Sequence, residues 1–137
     1  MNKNDELTGT FVLVNPQLTN DPAGMQNKIG VITSAEVEND NVFVSFGKEG
    51  QGLYSADALL VLRKHGSIQF DALHNATKMD VQDFKDLLRV SMFANSPFMK
   101  DRREAIEMAR DNRTVMEYSM ISLEEELGLK QEFSVER

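Results

Sequence analysis

Residues 29–62, IGVITSAEVENDNVFVSFGKEGQGLYSADALLVL, constrain the fold more than any other part of this chain. Two apolar, β-branched runs flank the polar turn Glu38-Asn39-Asp40-Asn41, and Gly47, Gly50 and Gly52 follow. Alternation of this kind argues for short strands buried on one face. A period of two puts Ile29, Val31, Ala35 and Val37 on one face of a strand over residues 28–37. It puts Val42, Val44 and Phe46 on one face of the next, residues 42–46, with Phe43 and Ser45 opposite. Asn and Asp tolerate left-handed backbone, so residues 38–41 suit the turn between them. Residues 53–55 make a fourth strand, Ala56-Asp57-Ala58 a single 3₁₀ turn, and residues 59–62 a fifth. Upstream, residues 10–14 (TFVLV) read as the first strand. Residues 15–27, NPQLTNDPAGMQN, are a long ordered loop or double turn, of the length at which loops often carry function.

Arg63 to Gly66 close the strand region. From Ser67 the period becomes helical. Ile68, Ala72, Leu73 and Ala76 fit a short helix. Asp80 caps a second helix, with Asp83 at N3 and a stripe of Phe84, Leu87, Leu88 and Ser91. Ser96 as N-cap and Pro97 at N1 start a third, running to about Asn112 with Phe98, Ala105, Ile106 and Ala109 inward. Lys100–Glu104 and Arg103–Glu107 are i,i+4 pairs on its wet side. Thr114 and Glu117 read as a capping box, followed by one helical face of Met116, Met120, Leu123 and Leu127, with Gly128 at C′.

Five short strands, a long first loop and a turn before the last strand resemble the SH3-like small β-barrels, including the Tudor and KOW types. The carriers are Gly30-Val31-Ile32, residues 42–46 (VFVSF), Gly52-Leu53-Tyr54 and residues 59–62 (LLVL). The expected class is α+β: an N-terminal five-stranded SH3-like barrel over residues 8–63, then three or four α-helices over 67–129 packed on it, and a frayed tail at 130–137. Barrels of this type usually bind ligands between the first long loop and the turn before the last strand. The resemblance therefore implies contact candidates at Asn15, Gln17, Asn20, Asp21, Phe43, Tyr54 and Asp57.

Composition narrows the chemistry. Among 137 residues there is no Cys, which excludes disulfides, thiolate zinc sites and thiol catalysis. The net charge is −7 and neither half is basic, which disfavours nucleic-acid binding through a KOW-like face. No apolar run approaches the roughly 20 residues of a membrane span. The polar N-terminus lacks the apolar core of a secretory signal, so the expected location is cytoplasmic.

No constellation points to catalysis, a metal or a cofactor. His65 and His74 stand in no metal-binding spacing with another His, and two isolated histidines read as surface or packing residues. Gly47, Gly50 and Gly52 match neither a Rossmann fingerprint nor a P-loop; strand turns account for them. No Ser has an activating context. An aromatic cage for a cation needs several converging rings, and the chain has no Trp. Tyr54 reads as a residue packed against the helices with its hydroxyl at the rim. Six of the eight Met, among them Met92, Met99 and Met120, lie in the helical half and read mainly as filler of the seam with the strands. Lys100, Arg102, Arg103, Arg110 and Arg113 interleave with acids, as on a mixed solvated face. The expectation is a non-catalytic protein-binding or adaptor module. A self-assembling protein with a helical homodimer seam is the alternative.

Overall fold

A computed structural model describes residues 6–21 and 23–128. The protein is α+β. The strands are β1 (Phe11–Val14), β2 (Ile29–Glu36), β3 (Asn41–Ser45), β4 (Gln51–Tyr54), β5 (Leu59–Leu62) and β6 (Met120–Ser122). The helices are α1 (His65–His74), α2 (Val81–Ala94), α3 (Met99–Arg110), α4 (Arg113–Ser119) and the short α5 (Leu123–Glu126). The strand order is β4-β3-β2-β1-β5-β6. This corrects the five-stranded closed barrel: among the described residues there are six strands, and no pairing joins the β4 edge to the β6 edge. The expected tail at 130–137 lies outside the described residues.

The described residues divide into two compact units, those within 6–61 with 122–128, and residues 62–121. In the first, β1 pairs with both β2 and β5, β2 with β3 and β3 with β4, all antiparallel. Val12, Leu13, Val14, Ile32, Val44 and Leu59 are fully buried and form its core. Residues Val42, Val44 and Phe46 point inward as their alternation requires.

The phase of β2 differs from the expected one. Val31 pairs with Ser45 and Ile32 with Val44, but Ser34 then pairs with Phe43, so Thr33 is an extra residue in a β-bulge. A bulge shifts the alternation by one. Ile32 and Ala35 are therefore both buried, Val31 is only half-buried, and Val37 belongs to a 3₁₀ turn rather than to the strand. The polar turn behaves as its residues dictate: Asp40 takes the left-handed conformation at φ 56°. The 3₁₀ turn Ala56–Ala58 precedes β5, and α5 packs against it.

In the second unit α1 packs on α2, α2 on α3 and α3 on α4, and α4 returns to touch α2 and α1. Its core is Ile68, Ala72, Leu87, Val90, Ala105, Ile106, Ala109 and Val115. Arg63 ties three segments of it together. Its guanidinium donates to Asp71 at 2.6 Å and to the Tyr118 carbonyl at 2.9 Å, and its backbone N–H donates to the Ser119 carbonyl.

Several helix ends differ from expectation. α3 begins at Met99 rather than Pro97. Ser96 accepts from the Phe98 N–H and donates to Asp101, so Phe98 is the last residue before the helix and is exposed instead of inward. Asp80 occupies the α2 N-cap position without a side-chain bond, and Asp83 accepts from Asn112 instead. The α4 cap is Asn112, whose side chain accepts from the Val115 N–H at 3.2 Å, not the Thr114–Glu117 box. α4 stops at Ser119, so Met116, Met120, Leu123 and Leu127 do not form one helical face: Met120 lies in β6 and Leu123 opens α5. Ser122 caps α5 and Gly128 follows it at φ 77°, the left-handed end expected of Gly.

Candidate functional site

Two of the seven candidate contacts, Asp21 and Tyr54, meet across the fold. The Tyr54 ring lies on the inner face of β4 and is 6% exposed. It packs edge-on against Phe46, with ring centres 6.3 Å apart. Gly52 leaves the room for it, since a Cβ there would stand 2.7 Å from the ring. The Tyr54 hydroxyl donates to Asp21 Oδ2 at 2.9 Å. Asp21 also accepts from the Met25 N–H at Oδ2 and from the Ala23 N–H at Oδ1, each at 2.9 Å. One carboxylate thus folds its own loop and latches it to β4. Burial of the ring, then the hydrogen bond it donates to Asp21 and the negative charge of that carboxylate, raise the Tyr54 phenol above its ordinary value. The Tyr54 hydroxyl and the Asp21 carboxylate are thus satisfied by each other and by the Ala23 and Met25 N–H groups.

The neck of the loop is closed by backbone bonds, from Val14 N–H to Lys28 and from Asn27 N–H to Val14. Asn15 accepts from the Gln17 N–H through its side chain and donates its own N–H to Ala58. Gln17 and Asn20 are exposed. Asp57 is exposed at the start of the 3₁₀ turn and accepts a short hydrogen bond from Ser55. Beside it, Asp40 reaches across from the β2–β3 turn and accepts the Ala56 N–H at 2.8 Å.

Phe43 is separated from this group. It points to the opposite face of the sheet from Tyr54 and is 37% exposed. Its register partner on β4 is Leu53, 54% exposed. Leu53 is not among the contact candidates that the resemblance implies. The signal was present in Gly52-Leu53-Tyr54, because an inward Tyr54 forces its neighbour outward. The two side chains form an apolar pair on strands at the open edge of the sheet, and no other described strand pairs with β4 on its far side.

The helical unit carries two shallow depressions. One, of about 410 Å³, is polar and open, lined by Thr77, Lys78, Met79, Asp80, Asp83 and Thr114. The other, of about 290 Å³, lies between α1 and α2 beside His65, Gln69, Leu88, Ser91, Met92 and Asn95. Ser91 donates its hydroxyl hydrogen to the His65 backbone carbonyl at 2.9 Å, so the two are not arranged as nucleophile and base. His74 donates from Nδ1 to the Phe70 carbonyl at 2.9 Å and stacks on the Phe70 ring, both within one helix. Among the described residues no three His, Asp or Glu side chains are grouped to hold a metal ion, and no helix is long and apolar enough to cross a membrane.

Compared with protein-family models, curated proteins and solved structures, the chain matches none of them.

Proposed function

We propose that the chain is a non-catalytic protein-binding module whose contact face is the open β4 edge together with the outer side of β3 and β4. The observation that carries this reading is the exposed Phe43–Leu53 pair on strands at an unpaired edge. An edge strand offers unsatisfied N–H and C=O groups to an extended partner, and exposed apolar side chains beside it offer the partner's side chains a surface. β4 is only four residues long. An interface of that size belongs to the weak, transient class, under roughly 1,200 Å².

The likeness to SH3-like modules belongs to this proposal. It is supported by the strand cadence and by the short turn Ala56–Ala58 before β5; the sixth strand and the open sheet depart from it. The loop at residues 15–27, latched to β4 through Asp21 and Tyr54, brings exposed Gln17 and Asn20 as further contacts.

Pull-down mass spectrometry with the full chain and with a Phe43→Ser, Leu53→Lys double variant tests the reading. Partners recovered with the wild type and lost with the folded double variant are the expected outcome. Partners retained by the variant, or amide shifts on partner addition confined to residues 62–121, overturn it.

A second reading, self-association through the helices, is favoured by the exposure of Met92 (68%) and Phe98 (67%), with Met99 also exposed. Light scattering decides it: a monomeric mass at high concentration removes it.

A further inference from the structure

We infer that the segment taken up along β4 is basic as well as apolar, with lysine or arginine placed over the Tyr54 end of the strand. The inference rests on the edge-binding reading above and deepens it. The two ends of β4 differ in charge. Val42 is the register partner of Tyr54, which sets the β2–β3 turn beside residues 55–57. The 2.8 Å bond from the Ala56 N–H to Asp40 confirms that closeness. Glu36, Asp40 and Asp57 are all exposed there. The bonds that Glu36, Asp40 and Asp57 accept come from neutral groups: the Asn41 amide, the Ala56 N–H and the Ser55 hydroxyl. Among the described residues none of these three is ion-paired with a Lys or Arg. The other end is different. There Ser45 pairs with Gln51, the turn carries Lys48, and Glu49 is paired with Lys28 at 3.2 Å. Four strand residues span roughly 13 Å, comparable with the Debye length of about 10 Å at 0.1 M salt. A docked strand therefore meets net negative charge at one end and net positive charge, from Lys48, at the other. Complementary charge favours encounter and register, and like charge is rejected.

The test uses the full chain, labelled for amide NMR, and three synthetic ten-residue peptides. Each has the same alternating Val-Thr centre, flanked by lysines, by glutamines or by glutamates. The lysine peptide is expected to shift the amides of Phe43 and of Gln51–Tyr54. It should bind at least about tenfold more tightly than the glutamate peptide at low salt, with the gap closing at high salt. A Glu36→Gln, Asp57→Asn variant should lose most of that preference while keeping the same shifted amides. Equal binding of all three peptides at β4 overturns the charge inference and leaves the edge reading standing. Failure of every peptide to shift the β4 amides overturns both.

Discussion

Tyr54, a contact candidate in the sequence, is tied within the fold to a partner 33 residues upstream. Its hydroxyl is committed to Asp21, a bond to an ionised acceptor that excludes it from free contact with a ligand. Tyr54→Phe is expected to cost about 1–2 kcal/mol in urea unfolding and to speed amide exchange within residues 15–27. The pH dependence follows from the raised phenol. Above the unfolded value of about 10, the unfolded chain gives up a proton that the folded one keeps. The bond's contribution is thus intact below that pH and is lost as pH rises through the higher folded value. The unfolding midpoint should fall more steeply above pH 10 in the wild type than in Tyr54→Phe; parallel curves would refute this. Gly30 is a second constrained position. A Cβ there would collide with Val44 and stand 2.9 Å from the Ser45 carbonyl, so Gly30→Ala should cost about 1–3 kcal/mol by overpacking, read from the same denaturation curves. Neither the Tyr54–Asp21 bond nor this clash was legible in sequence, because each joins residues that only the pairing of strands brings together.

Elements were legible where local chemistry decides them. The turns at Asp40 and Gly47, the 3₁₀ turn at Ala56–Ala58 and the strand Leu59–Leu62 follow from residue types and their neighbours. The misreadings share one cause: several residues of similar capping or apolar character lay within a turn of each other, and tertiary partners chose among them. Asn112 rather than Thr114 caps α4, since Asn112 also donates to Asp83 on α2 at 2.8 Å. Asn112→Ala should therefore lose the cap and that bond together, about 1–2 kcal/mol, and lower the thermal midpoint. The run after Ser119 is the strand Met120–Ser122, which its helical spacing concealed.

For the whole molecule the edge of the sheet is the feature with consequences. Phe43→Ser and Leu53→Lys remove partly exposed apolar surface from the outer face of the sheet. Each should leave unfolding free energy within about 0.5 kcal/mol of wild type while abolishing binding of the lysine-flanked peptide. A large loss of stability instead would mean that the pair is structural. The exposed Met92 and Phe98 make the opposite demand on the helical unit, and the light-scattering mass separates the two surfaces.

By itself the sequence determined the class of the protein, α+β, the approximate positions of most strands and helices, and the absence of thiol chemistry. Those depend on alternation, turn residues and composition, which are local or global sums. Tertiary structure alone decided that the sheet stays open with a sixth strand, that Thr33 bulges and resets the phase of β2, and that Asp21 and Tyr54 face each other. It also decided that Phe43 stands with Leu53 on an outer face. Register is a relation between strands, and no run of residues within one strand carries it.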